Sequence, residues 1–304
     1  MAPPSEPRVP SQLAAAAPLE QWSQVSIVGL GLIGGSLARA LRRQLPQLRI
    51  VGIERAGALP QLPAGLVDEA LSEHDGARID AAFASSELIC VATPVGVIAG
   101  WLERALRERA VVTDCGSSKR SIAAAASAWP DRARFVPGHP MAGAGADRSA
   151  LSAELFQGRT WLLCPEHADP VAVDAVERLV SRVGARPERI AAEAHDRAVA
   201  VTSHAPRLVA SVLMALAERE QALAAAGPAF ERITRGAGGS LEMWRDILGS
   251  NADEVARALR VLVQELEACA VELEQGGVEH NLSTLSAAER SREAFDAKRR
   301  RPAG

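Results

Sequence analysis

The residues best placed to do chemistry begin with a glycine run, Gly29-Leu30-Gly31-Leu32-Ile33-Gly34. It lies between the apolar stretch Val25-Ser26-Ile27-Val28 and a helical pattern through Leu37, Ala38 and Leu41. In that setting the first glycine permits a tight turn, the second lets the backbone approach a pyrophosphate, and the third allows close helix-to-strand packing. The helix N-terminus adds free amides and a positive dipole end. Gly29, Gly31, Leu32, Ile33 and Gly34 are therefore expected to cradle a dinucleotide. Glu54 closes the next apolar run, where a carboxylate accepts from the adenosine ribose hydroxyls and repels a 2′-phosphate. NAD is expected over NADP, although Arg55 next door is the residue type a 2′-phosphate would use. Thr93-Pro94 follows the third apolar run and is expected to border the nicotinamide half.

Absences narrow the acid-base chemistry. The chain has no tyrosine and only two lysines, Lys119 and Lys298, so nearly all its positive charge is arginine, which does not readily give up a proton. The Tyr-Lys chemistry of short-chain dehydrogenases is excluded. Proton transfer has to come from His, Ser, Cys, Asp, Glu or a cofactor. Polar residues gather in Asp114-Cys115-Gly116-Ser117-Ser118-Lys119, in the loop Pro137-Gly138-His139-Pro140-Met141-Ala142-Gly143, and in Thr234-Arg235. Cys115 has no base pattern around it and reads as an inert core residue. His195 and Ser203 lie on a helical pattern where packing and substrate contact both remain open, as they do for His204.

The elements that must position these residues fall into two sets. Val25 to Val28, Arg49 to Ile53, Leu88 to Ala92 and Val111 to Asp114 are short β-branched runs separated by helical patterns, with further short strands expected at Arg134 to Val136 and Thr160 to Cys164. This alternation predicts a Rossmann-type α/β domain over residues 23–190, a doubly wound parallel sheet covered on both faces. After Arg189 apolar residues recur at helical spacing through Ala226 and again from Val255 to Leu273. An all-α domain over residues 191–297 is expected, with a long helix running across the join. Residues 1–22 read as a disordered leader and 298–304 as a flexible tail.

Composition bounds the partners. The chain has 304 residues, 48% apolar, with 34 basic against 37 acidic side chains. A formal charge of −3 offers no basic field for nucleic acid or an anionic membrane. Cys90, Cys115, Cys164 and Cys269 are widely spaced, so neither a metal site nor a disulfide framework is expected. A cytoplasmic setting follows, with no membrane and no nucleic-acid partner.

At this point the chain resembles the prephenate/arogenate (cyclohexadienyl) dehydrogenases of tyrosine biosynthesis. The resemblance is carried by the glycine turn followed by Gly35-Ser36, by Gly116-Ser117-x-Lys119, and by Gly138-His139-Pro140-Met141-Ala142-Gly143. It continues through His195-Asp196, Ser203-His204-x-Pro206, and Met243-Trp244-x-Asp246-Ile247 with Asn251. It implies NAD-dependent oxidative decarboxylation of a dianionic cyclohexadiene, in which aromatisation drives hydride transfer. Neutral His139 would then take the proton of the ring hydroxyl, and Ser117 would orient the imidazole or the hydroxyl. Arg235 would hold a carboxylate bidentately, with Ser203, His204, Arg207 and Trp244 around the substrate. The family implication extends to a helical dimerisation domain and a homodimer, in which Trp244 could come from the partner subunit.

Three departures bear on substrate choice. Arg207 stands where many members carry a second histidine, Ala144-Gly145-Ala146 replaces a polar run, and Glu231-Arg232-Ile233 lacks an aspartate before Arg235. Two other readings compete. A β-hydroxyacid dehydrogenase would need a lysine on the first long helix after Ala191, which is absent. A noncatalytic NAD-binding regulatory module would have no reason to assemble His139, Ser117 and Arg235.

Overall fold

The computed structural model describes residues 17–143, 151–238 and 240–300, with side chains to residue 297. Strands β1 (Gln24–Val28), β2 (Arg49–Glu54), β3 (Glu69–Ser72), β4 (Leu88–Val91), β5 (Val111–Asp114) and β6 (Phe135–Val136) form one sheet in the order β3-β2-β1-β4-β5-β6. Every pairing in it is parallel. The order reverses between β1 and β4, and that switch opens a crevice beyond the carboxyl ends of the strands.

Alternation along each strand explains the two cores. Val25 and Ile27 pack with Leu37 and Leu41 of α1 (Leu32–Gln44) and with Val176 and Leu179 of a later helix. Val28, Val51 and Ile53 face the other way, toward Ile79 and Phe83 of α2 (Gly76–Ala84), Ile98 and Leu102 of α3 (Val95–Ala105), and Ile122 of α4 (Arg120–Ala126). With both faces covered, the strands read as continuous apolar runs, and this is why their positions were visible in the sequence.

Beyond β6 the chain makes a second sheet from β7 (Gly138–Pro140), β8 (Thr160–Leu163) and β9 (Arg186–Arg189), with α5 (Pro170–Arg182) between the last two. Strand β7 runs antiparallel to β8, and His139 pairs with Leu162. His139 is therefore on a strand, not in the loop expected from its glycine and proline neighbours. Strands β3, β7 and β9 were missed because they are short or polar; β9 reads Arg-Pro-Glu-Arg at an exposed edge. Helix α5 is capped by Asp169, whose carboxylate accepts from the Val171 amide at 2.8 Å, with Pro170 at its first position.

The helical part comprises α6 (Ala192–Val199), a π-helical stretch Ala200–His204, α7 (Ala205–Arg219), α8 (Pro228–Thr234), α9 (Leu241–Ser250), α10 (Ala252–Glu274) and α11 (Glu279–Arg300). No helix crosses the join: β9 ends at Arg189 and α6 starts at Ala192. The fold also reaches further at both ends than the composition implied. Leu19 and Trp22 are buried as members of the first core. At the other end α11 continues through Arg300. The remainder of the expected leader and tail, residues 1–16 and 301–304, lies outside the described residues.

Candidate active site

The crevice at the switch point is a cleft of about 570 Å³. Its floor is the glycine turn. Gly29 has φ +85°, and a Cβ there would meet the Ala92 carbonyl oxygen at 2.6 Å. A Cβ on Gly34 would lie 1.9 Å from the Gly29 carbonyl oxygen, so α1 can pack this close to β1 only with glycine. Gly31 is different. Nothing lies within 4 Å of a Cβ built there, and it faces the cleft with Leu32 and Ile33. No side chain caps α1, whose N-terminus points its amides at this space. Thr93 lines the same cleft beside Pro94, and its buried Oγ1 has no hydrogen-bond partner. An open glycine, uncapped amides and an orphaned hydroxyl are what a dinucleotide's phosphates and carboxamide would satisfy, so these residues fit the cofactor. Glu54 stands behind the turn, not in the cleft wall: its carboxylate accepts from the Leu30 amide at 2.8 Å and the Arg55 amide at 2.9 Å. Gly29 and Gly34 likewise shape the turn from behind.

The far wall carries His139, held in place by a buried ion pair. Lys119, fully enclosed, bonds Asp114 and donates to the Gly138 carbonyl at 2.6 Å, while Asp114 Oδ1 accepts the Gly138 amide at 3.1 Å. Both ends of the residue before His139 are thus tied to β5. His139 Nδ1 lies 2.9 Å from His195 Nε2, and His195 Nδ1 lies 2.8 Å from Asp196 Oδ1. Burial, and then unfavourable electrostatics from His195, Lys119 and His204, pushes the His139 imidazole well below the ordinary histidine value, so it stands neutral at pH 7. Burial by itself would raise the Asp196 carboxyl. Hydrogen bonds from His195 and from the Lys119 and Arg120 amides outweigh it and hold the carboxyl below its usual range.

Asp196 also explains Ser117. Helix α4 is capped from the other domain, by the Asp196 carboxylate on the amides of Lys119 and Arg120 at 2.7 and 3.0 Å. Ser118 instead bonds Ser250 at 2.8 Å. Ser117 is left out of both jobs and lines the cleft. Cys115 lines it too, but hydrogen bonding to Cys90 and burial push its thiol well up, in keeping with an inert residue. All four cysteines are free.

The roof comes from the helical part. Pro206 has no amide hydrogen to give the carbonyl four residues back, and the chain widens into the π-helical stretch Ala200–His204 just before it. That extra residue per turn carries Ser203 and His204 into the cleft wall. Asn251 donates to His204 Nδ1 at 3.3 Å and to the Asp196 carbonyl at 2.8 Å, so His204 carries its hydrogen on Nε2. Burial is the main cause that pushes His204 down to about 4, Asp196 opposing it and His195 adding to it. Since the unfolded chain titrates near 6.5, it binds more protons than the folded chain between those values. Stability is expected to be complete above about pH 6.5 and to fall by on the order of 3 kcal/mol as pH drops toward 4. Denaturant midpoints across that range check this, and an unchanged slope in His204→Gln would contradict it.

Trp244 lines the cleft of its own chain, meeting His204 edge to face at 6.2 Å. The Arg207 guanidinium stacks on it at 5.4 Å, with Nη1 buried and lacking a partner. Arg235 is not brought into the wall: it lies exposed after α8, on a turn that packs against α7, the helix carrying Arg207. Asp196, Asn251, Lys119 and Asp114, given no role from sequence, and His195, left open there between packing and substrate contact, are the residues hydrogen-bonded around His139 and His204. The His195-Asp196 dipeptide was the available signal, but its partners are far away in the chain. Ala144-Gly145-Ala146 lies outside the described residues.

Comparison with known proteins agrees with this arrangement. Residues 37–189 match the nucleotide-binding domain of prephenate dehydrogenase, and residues 191–287 match its dimerization domain. The glycine turn precedes the matched stretch, so its reading rests on its own geometry. The chain is 32% identical over 272 residues to the prephenate dehydrogenase of Bacillus subtilis, covering 84% of this chain and 71% of that protein. Among solved structures, that of Aquifex aeolicus prephenate dehydrogenase in complex with hydroxyphenyl propionate and NAD+ superposes with a TM-score of 0.79 at 27% identity, covering 90% of this chain and 98% of that one. Synechocystis arogenate dehydrogenase superposes with a TM-score of 0.70 at 27% identity, over 89% and 99%. A dinucleotide turn, a buried histidine chain and matches spanning both domains converge on one conclusion: this oxidoreductase belongs to the prephenate dehydrogenase family.

Proposed function

We propose that this chain catalyses the NAD-dependent oxidative decarboxylation of prephenate to 4-hydroxyphenylpyruvate, or of its amino counterpart arogenate to tyrosine. The observation that carries the reading is the meeting, in one cleft, of the open Gly31 turn with a neutral His139 imidazole. When bound, NAD supplies the hydride acceptor. The chain's residues do the rest. On the turn that Gly29 and Gly34 shape, Gly31, Leu32, Ile33 and the α1 amides would hold the pyrophosphate, and Thr93 would offer its unpartnered hydroxyl near the nicotinamide. His139 accepts the ring hydroxyl proton as that carbon becomes a carbonyl, and Ser117 orients the hydroxyl. Loss of the ring carboxylate as carbon dioxide then returns its bonding electrons to the ring, which becomes aromatic.

Two guanidinium groups answer the substrate's two carboxylates. Arg207 stands against Trp244 with an unsatisfied Nη1, and Arg235 makes no ion pair among the described residues. Arg235→Ala is expected to raise KM about 10-fold with little change in kcat, a modest loss because the group starts out solvated. An unmoved KM would assign Arg235 to the surface. For the cofactor, Glu54 places negative charge at the end of β2, which favours NAD over NADP; Arg55 beside it is exposed.

The helical part fits a homodimer, and we assign the protein to the cytoplasm. Among the described residues the helical part's buried cluster is Ala200, Ala205, Val255 and Ala258, with Leu208, Leu248 and Leu259 packed against it, while Val212 (67%), Val263 (61%) and Leu266 (58%) lie exposed. Residues Ala192–Arg219 are long and apolar enough to cross a membrane by composition. They also carry His195, Asp196, Ser203, His204 and Arg207, so we assign their free face to the partner subunit. A monomer by light scattering would overturn that. Absorbance at the reduced-nicotinamide band, with prephenate and arogenate each offered with NAD and NADP, tests the reaction as a whole; no signal in any combination would refute it.

A further inference from the structure

The hydrogen-bond chain behind His139 has a direction, set at its far end. Ionised Asp196 can only accept. Its Oδ1 takes the Lys119 amide at 2.7 Å and His195 Nδ1 at 2.8 Å; its Oδ2 takes the Arg120 amide at 3.0 Å and Arg120 Nε at 3.2 Å. His195 therefore carries its hydrogen on Nδ1, and its Nε2 is the nitrogen left to accept. That nitrogen lies 2.9 Å from His139 Nδ1, so His139 must donate there. His139 then has its hydrogen on Nδ1 and a bare Nε2 on the cleft side. His195 and Asp196 are both fully buried, which leaves no room for water to reverse the pattern. An isolated neutral histidine prefers the other tautomer, with hydrogen on Nε2, and that form cannot take a proton from substrate.

We propose that Asp196 and His195 are positioning residues that select the His139 tautomer able to accept the substrate's hydroxyl proton. The inference rests on His139 being the base. In the step itself the proton moves from the hydroxyl oxygen to His139 Nε2, the electron pair of that O–H bond forms the carbonyl, and the hydrogen on the same carbon leaves with its bonding pair as the hydride that NAD, when bound, would accept. The His139 imidazolium so formed keeps its Nδ1–H bond to His195, which strengthens as the ring becomes charged. Stapling α4 explains two of the bonds Asp196 accepts from backbone, but it does not require an imidazole between Asp196 and His139.

Asp196 is a poor test site because it caps α4, so the substitution falls on His195. In the full chain with 15N-labelled histidine, the ring nitrogens of His139 are expected to show hydrogen on Nδ1. His195→Leu should shift them toward Nε2–H and lower kcat by about 10- to 100-fold with NAD affinity unchanged. In His195→Gln the amide oxygen can still accept from Nδ1, and kcat should recover toward the wild type. Hydrogen on Nε2 of His139 in the wild type overturns the relay, as does a His195→Leu enzyme with unchanged tautomer and kcat. Should His195→Leu fail to fold, the tautomer of the intact chain decides alone. That spectrum needs neither substrate nor turnover, so a failed relay is distinguishable from a failed base assignment, which full activity in His139→Ala would reveal.

Discussion

His139→Ala is expected to lower kcat by about 10²- to 10⁴-fold, the usual worth of a positioned general base. NAD affinity should hold, because the glycine turn, Glu54 and Thr93 do not touch the imidazole. The effect is large because no other group can substitute. The chain has no tyrosine, and Lys119 is locked to Asp114 and the Gly138 carbonyl. His204 offers the cleft a donor, since Asn251 occupies its Nδ1. The pH profile gives the sign. A base that works unprotonated loses activity as it gains a proton, and burial holds His139 well below the ordinary histidine value, so kcat/KM should stay flat through pH 6.5 and fall only below it. An acid limb centred above 6.5, or full turnover in His139→Ala, would remove His139 from the role.

Arg207→Ala should cost about 2 kcal/mol or more in substrate recognition, roughly 30-fold in KM, with kcat far less affected. A guanidinium nitrogen that is buried and unpartnered is costly to keep in the free chain, and an incoming carboxylate supplies the missing acceptor. The Trp244 ring face, 5.4 Å from the guanidinium carbon, helps to hold the group in place for an incoming carboxylate. Arg207→Lys should recover little, because an ammonium neither stacks flat nor binds two oxygens at once. Thermal stability separates the readings: if Arg207 were only structural, Arg207→Ala would unfold earlier and leave KM alone.

Much of the fold was legible because burial on both faces writes itself into sequence. The strands β1, β2, β4 and β5 are runs of apolar residues, and the glycine turn sits where strand passes to helix. What escaped notice was short or polar. Strand β9 is three charged residues and a proline, extended in pairing with β8. The strand that carries His139 is three residues long and is fixed by Lys119 and Asp114, not by any pattern of its own. The two arginines show the same limit from the other side. Arg235 sits in the family motif and yet lies exposed, whereas Arg207, notable in sequence as a departure, has a guanidinium nitrogen, Nη1, that is buried and unpartnered.

By itself the sequence determined the residue types available for chemistry, the dinucleotide turn and the division into sheet and helices, because each follows from local sterics, periodicity or a simple absence. Tertiary structure decided which of those residues meet. His195 was one histidine among six on an unremarkable helix. It acquires a role only because α6 packs against the start of α4, bringing His195 and Asp196 into a single hydrogen-bonded line with His139, which lies 56 residues before His195. Hydrogen-bond polarity depends on distances of about 3 Å between groups remote in sequence, and no spacing along the chain encodes it.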